Sequence, residues 1–261
     1  MCYTEFVIYF FIILGLFVGS FLNLVIDRLP KKQTIIRDRS KCDFCNRKLE
    51  WFELIPLVSF IIQKRKCRHC YRKLSFYYPF TELTTGVLFG LTFLTGNSLY
   101  VIPYVLFAIS LVIVSCLIII FFTDLKYGII PNQVILFASS IALLYLTLNT
   151  PYLILQHLLS ALFIFLFFLL LILVTRGRGM GMGDAKFAFF IGLLLGFPLT
   201  IFSIYLAFLT GALVSIILIL LGIKKLKKDT IPFGPFLAGS TLLTYFYGNE
   251  ILKLLLKLLN L

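Results

Sequence analysis

Acidic side chains are scarce in this chain. It has 11 Asp and Glu among 261 residues, and charged residues of both signs reach only 13%. That excludes a disordered chain, which is polar and charge-rich. It also excludes an ordinary soluble domain, in which about a quarter of residues are charged. No Lys or Arg precedes the first apolar run, where Glu5 stands instead, so the basic start of a cleaved signal peptide is missing. What the chain does have is hydrophobic residues, 61% of the total, together with 24 Lys and Arg and a formal net charge of +13.

A helix needs about 20 apolar residues to cross the bilayer core. The first such run covers Glu5 to Ile26. Others cover Ser75–Leu94, Leu99–Phe122, Ile130–Leu148 and Tyr152–Val174. Ala185–Gly222 is broken by Gly196-Phe197-Pro198 and reads as two spans, and a last one starts near Pro232 and reaches Tyr247. The expected architecture is an all-α polytopic membrane protein of about eight transmembrane helices, with a small loop domain between the first two. Residues 1–27 form the first span, 28–74 the loop domain and 75–261 a second membrane domain.

The bases sort by side. Fourteen lie between Arg28 and Lys73, and the turns after the third, fifth and seventh runs bring the count to 22 of 24. The opposite turns, Thr95–Ser98, Asn149–Pro151 and Gly196–Pro198, carry none. Basic loops stay in the cytoplasm. The N-terminus is therefore expected outside, and the long loop inside, against an anionic inner leaflet. A basic loop held between two spans fits lipid anchoring, so no nucleic-acid partner is expected. The tail from Glu250 puts Lys253 and Lys257 four apart on one helical face, a pattern for the membrane interface.

Inside the loop, Cys42-x-x-Cys45 and Cys67-x-x-Cys70 are separated by 21 residues. That is close to the spacing of a four-thiolate zinc site, each pair supplying one knuckle. Disulfides are disfavoured in the cytoplasm. Such a site is structural, because four protein ligands leave no position for substrate. His69 sits within the second knuckle as a bystander, and Cys2 and Cys116 have no partner at knuckle spacing.

Acids near the spans are costly and mark functional sites. Asp124 ends the third span, and Asp184 opens the sixth after Gly177, Gly179, Gly181 and Gly183. Both fall at the same membrane edge. Two carboxylates held close share one proton, so one can activate water while the other polarises a carbonyl. Only about 14 residues separate Asp184 from Pro198, roughly 21 Å of helix, so the glycine segment is expected to dip into the membrane level. On the residues alone, the two acids also suit a proton-coupled carrier, and the cysteine loop a non-catalytic assembly scaffold.

The ordered motifs resemble one family nearly end to end. Gly19-Ser20-Phe21-Leu22-Asn23 is followed by Arg28-Leu29-Pro30, the two cysteine pairs, Trp51-x-Glu53-Leu54-Ile55-Pro56 and Tyr78-Pro79-x-x-Glu82. Asp124 with Ile130-Pro131-Asn132, then Gly181-Met182-Gly183-Asp184-x-Lys186, then Pro232-Phe233-Gly234-Pro235-Phe236 complete the set. The chain is similar to the type IV prepilin peptidases, membrane aspartyl proteases of the GxGD class. The resemblance implies an enzyme of the bacterial cytoplasmic membrane. It would remove the short basic leader of prepilins and pseudopilins on the cytoplasmic side, after a glycine, and N-methylate the new N-terminal residue with S-adenosylmethionine. It implies Asp124 and Asp184 as the catalytic pair, with Gly181, Gly183 and Lys186 supporting the substrate loop. Gly19, Asn23, Arg28, Glu53 and Glu82 are the candidates for the methyl-transfer cofactor.

Overall fold

The fold was analysed on a computed structural model, which describes residues 2–34, 40–42, 44–45, 47–97, 104–177, 179–222 and 231–258. Asp38, Asp43, Arg178, Lys224, Lys225, Lys227, Lys228 and the side chain of Cys2 lie outside the described residues. The described residues are helical throughout apart from loops and two isolated bridges. The helices are α1 (Cys2–Arg28), α2 (Val58–Ile62), α3 (Tyr77–Asn97), α4 (Tyr104–Tyr127), α5 (Asn132–Asn149), α6 (Ile154–Val174), α7 (Met182–Leu195), α8 (Leu199–Leu220) and α9 (Gly234–Leu258). They form two compact units, Met1–Phe107 and Ala108–Leu261.

In the first unit α1 and α3 pack along their length. Each carries two glycines four apart, Gly15 and Gly19 on α1, Gly86 and Gly90 on α3. In lipid, apolar surface gains nothing by leaving the solvent, so helices associate by close packing at small residues. The contact is that close. A Cβ on Gly15 would lie 2.8 Å from the Gly86 Cα, and one on Gly19 would lie 2.8 Å from the Glu82 Cα. Higher up, Phe11 stacks on Phe93 at 5.2 Å. Between the two helices the chain folds into two hairpin-like knuckles. Each is closed by one antiparallel bridge, Lys41 with Lys48 and Lys66 with Lys73. The knuckles repeat each other: Cys42 N–H donates to the Arg47 carbonyl and Cys67 N–H to the Arg72 carbonyl, both at 3.0 Å.

In the second unit α7 is the central helix. It packs against α5, α6, α8 and α9. Ala185, Phe187, Ala188 and Phe190 through Leu195 are all buried. Its small residues set the spacing again, since a Cβ on Gly192 would lie 2.5 Å from the Ala161 Cα on α6. The outer helices show the reverse pattern. On α6, Leu155, Leu159, Phe163, Leu170 and Leu173 are all exposed. An apolar face that broad belongs against lipid.

Among the described residues, five helices are long and apolar enough to cross a membrane: Glu5–Arg28, Tyr104–Tyr127, Asn132–Asn149, Pro151–Val174 and Leu199–Leu220. The chain is accordingly a membrane protein. The other three expected spans are helical too. At 14 residues α7 is short, and α3 and α9 mix polar residues into their apolar length. Two boundaries differ from expectation. The third expected span ends at Phe122, whereas α4 runs on to Tyr127, which puts Asp124 within the last turn of the helix. The tail after Tyr247 is not separate, because α9 continues unbroken to Leu258.

Candidate active site and cofactor cavity

Asp124 and Asp184 both lie in the second unit, close enough for the charge of Asp184 to act on Asp124. Asp124 is 5% exposed. Its Oδ2 accepts a 2.8 Å hydrogen bond from the backbone N–H of Gly234, the first residue of α9. Nothing larger than glycine fits there, as a Cβ would sit 2.6 Å from Asp124 Oδ2. Asp184 stands in the first turn of α7. Its Oδ2 accepts from the Gly181 N–H at 3.0 Å, and its own N–H donates to the Gly181 carbonyl. The carboxylate thus caps the start of its own helix, satisfying an amide that has no partner within the helix.

Neighbouring motif residues serve the same corner. Lys186 Nζ donates to Asn132 Oδ1 at 3.0 Å, tying the start of α7 to the start of α5. Gly183 faces Ile130, where a Cβ would meet the Ile130 Cβ at 3.3 Å. Gly181 is extended and exposed, with its N–H turned to Asp184. Of the expected residues, the structure therefore gathers Asp124, Asp184, Gly181, Gly183 and Lys186 at one end of one unit. Reasoning from sequence left out Gly234 and Asn132 as site residues. Each lies within a quoted motif, but nothing in the sequence marks its partner.

The cysteines gather as expected. The Sγ atoms of Cys42, Cys45, Cys67 and Cys70 all lie within 4.8 Å of one another, and none is in a disulfide. A zinc tetrahedron with Zn–S near 2.3 Å sets its sulfurs roughly 3.8 Å apart. Cys42 Sγ and Cys70 Sγ stand 3.9 Å apart. These four thiols could hold a metal ion. The Cys67 thiol is drawn down to about 7, chiefly because the Cys70 and His69 backbone N–H groups donate to its sulfur, while burial pushes Cys42 up to about 11. His69 Nδ1 accepts from Arg47 Nη1 at 3.0 Å, linking the knuckles. A further signal lay in the sequence, for the pattern Cys-x-x-Cys-x-Arg-Lys-Leu occurs at both 42–49 and 67–74.

Within the first unit, α1, α3 and the knuckles enclose a cavity of about 550 Å³. Asn23, Arg28, Glu53, Phe60, Tyr78 and Glu82 are on its wall, which also reaches Cys42 and Cys67. Glu53 Oε2 accepts from the Glu50 N–H at 3.0 Å, and Glu82 Oε2 from the Leu57 N–H at 2.9 Å. Asn23 donates to the Tyr78 carbonyl, and the Tyr78 hydroxyl donates to Asp27. Four of the five expected cofactor residues therefore line one space. Gly19 is not on that wall and instead sits where α1 crosses α3.

Residues 111–216 match the type IV leader peptidase family, and residues 13–95 match the Bacterial Peptidase A24 N-terminal domain. A prepilin leader peptidase/N-methyltransferase of Bacillus subtilis is 36% identical over 253 residues, covering 94% of this chain and 96% of the relative. The chain belongs to the type IV leader peptidase family. Proteins of the same designation from Pseudomonas aeruginosa and Legionella pneumophila are each 30% identical. They cover 93% and 94% of this chain, and 91% and 94% of their own lengths. No solved structure matches the chain. The family assignment gives the two sites separate standing. The N-terminal match contains the cysteines and the cavity, and the second match contains both aspartates.

Proposed function

We propose that the chain is a prepilin leader peptidase and N-methyltransferase, with Asp124 and Asp184 as its peptidase pair. The observation that carries the reading is the convergence of these two acids in a chain related along almost its whole length to enzymes so named. With one proton between them, the ionised carboxylate removes a proton from water. The resulting hydroxide adds to the scissile carbonyl carbon while the protonated partner donates to the carbonyl oxygen. Collapse breaks the C–N bond, and the proton taken from water passes to the leaving amine. The Gly234 N–H fixes Asp124, and the Gly181 turn fixes Asp184. Lys186 and Asn132 hold the helix that carries Asp184. A carrier or scaffold would not require this pairing, and its relatives do not carry such names.

Substrates are type IV prepilins and pseudopilins. Their apolar helix stays in the bilayer, and the basic leader is cut on the cytoplasmic side after a glycine. The charge distribution supports an N-terminus outside and residues 28–74 in the cytoplasm against anionic lipid. The four thiolates hold one structural zinc ion, which staples a loop too small for a core of its own. Methyl transfer calls for S-adenosylmethionine, which supplies an electrophilic methyl group on a sulfonium sulfur. Incubation of the purified chain in lipid with a prepilin tests the reading by mass spectrometry of the product. The expected product lacks its leader and carries one added methyl on its first residue. An intact prepilin would contradict the reading.

A further inference from the structure

The chain between the two cysteine pairs is not uniformly polar. Residues 51–62 read Trp-Phe-Glu-Leu-Ile-Pro-Leu-Val-Ser-Phe-Ile-Ile, an apolar stretch too short to cross a bilayer. In the structure it forms one 3₁₀ turn, Trp51–Leu54, followed by α2. Glu53 and Ser59, with Gln63 just beyond, are on the cavity wall. Trp51, Val58, Ile61 and Ile62 are not on that wall. They are exposed instead, Trp51 by 78% and Ile61 by 72%, and the last three share one face of α2. A contiguous apolar surface of this kind marks a contact with a membrane or with another protein.

Two hydrogen bonds set the depth of the segment. The Ser20 hydroxyl donates to the Leu54 carbonyl at 3.4 Å, and Glu82 Oε2 accepts from the Leu57 N–H at 2.9 Å. Ser20 is on α1, which is long and apolar enough to cross a membrane. It lies roughly 9 Å of helix rise before Ile26, where the apolar run of α1 ends. Glu82 is at the same level, because a Cβ on Gly19 would lie 2.8 Å from its Cα. The bend at Leu54 to Leu57 is therefore tied to the apolar part of α1, level with the exposed Phe17 and Phe21. Backbone at that level needs partners within the protein. Glu53 N–H donates to the Glu50 carbonyl, Ser59 N–H to the Ile55 carbonyl and Ile61 N–H to the Leu57 carbonyl. Bases flank the stretch, with Lys48 before it and Lys64, Arg65 and Lys66 after it, all exposed. An apolar face between basic ends suits a segment lying in an anionic membrane interface, where such faces reach about 5–10 Å into the lipid.

From this placement we infer that residues 51–62 insert into the leaflet on the loop's side of the membrane, with Trp51, Val58, Ile61 and Ile62 among the acyl chains. The side rests on the cytoplasmic placement of residues 28–74 proposed above; the depth does not. One cysteine pair precedes the segment and the other follows it, so insertion holds both knuckles at the lipid surface. A substrate anchored by an apolar helix presents its chain at that surface.

Trp51 is the chain's one tryptophan, so its native fluorescence reads the depth directly. The full chain is reconstituted in vesicles of phosphatidylcholine and phosphatidylglycerol. Its emission is quenched either by phosphatidylcholine brominated on the acyl chains or by acrylamide in the water. Insertion predicts a blue-shifted emission that loses most of its intensity to the brominated lipid and little to acrylamide. Strong quenching by acrylamide with little by bromine would put Trp51 in water and overturn the segment. Weak quenching by both would mean that a second copy or another protein covers this face, and would overturn it equally. Trp51→Phe with Ile61→Trp moves the probe to α2, and the same response is expected there. Should that variant fail to reconstitute, wild type decides alone. Absence of bromine quenching in a chain that still removes the prepilin leader removes the segment and leaves the proposed function standing. Bromine quenching in a chain that leaves the prepilin intact supports the segment and removes the function.

Discussion

At Gly234 the absence of a side chain is what lets the backbone reach Asp124. The N–H···Oδ2 bond is 2.8 Å long, and the space a methyl group would need is already taken by the carboxylate. Gly234→Ala is therefore expected to push Asp124 out of place. A displacement of about 1 Å in a catalytic group costs on the order of 100-fold in rate. The check is the initial rate of leader removal, with circular dichroism to show that the helices persist. Wild-type activity in this variant would mean that the bond does not position the acid. The two aspartates were legible in the sequence because acids are rare among the spans. Gly234 was not, because its bond to Asp124 joins positions 110 residues apart and nothing local marks the pairing.

Among the elements, the α1–α3 pair and the cysteine knuckles make separate predictions. The pair depends on Gly15 meeting Gly86. Gly86→Val forces side-chain volume into a filled crossing, and is expected to cost about 1–3 kcal/mol and lower the melting temperature. The equivalent change at the open Gly239, where a Cβ meets nothing within 4 Å, is expected to cost less. The knuckles depend on their metal. Metal analysis is expected to give one zinc per chain, and Cys42→Ser with Cys67→Ser to give none. A chain that keeps its zinc with both cysteines replaced would refute the four-thiolate site. The knuckles could be read from sequence because metal-ligand spacing is local. The cavity could be read only as a set of candidate residues. Asn23, Arg28, Glu53 and Glu82 converge through the register of α1 on α3 and the folding of the loop, and neither is written in any short window. Gly19 drew attention for its motif, yet its place at the helix crossing is a packing role.

At the scale of the whole molecule, the charge pattern of the sequence predicts that its basic residues gather on one side of the membrane. Its helices present apolar faces such as that of α6, and 22 of 24 bases lie in or beside the stretches expected on one side of the membrane. On the positive-inside rule that side is predicted to be cytoplasmic. Alkaline phosphatase fused after Gln63 is expected to be inactive, and fused after Gly96 active, since the enzyme works only outside the cytoplasm. The reverse pattern would invert the topology and place both proposed sites on the wrong face for a cytoplasmic leader. Five of the expected spans were legible because apolar runs of about 20 residues stand out, and those helices are long and apolar enough to cross a membrane. The ends of the helices were less so. At its far end α4 runs to Tyr127, about a turn beyond the hydropathy boundary at Phe122.

The central claim is that Asp124 and Asp184 act as one catalytic unit. Leader removal by Asp124→Asn, Asp184→Asn and the double variant, measured against one prepilin in the same lipid, tests it most directly. Groups that act as a unit are strongly non-additive. Each single change is expected to abolish cleavage, and the double variant to be no worse than either alone. Substantial cleavage by either single variant would contradict the account.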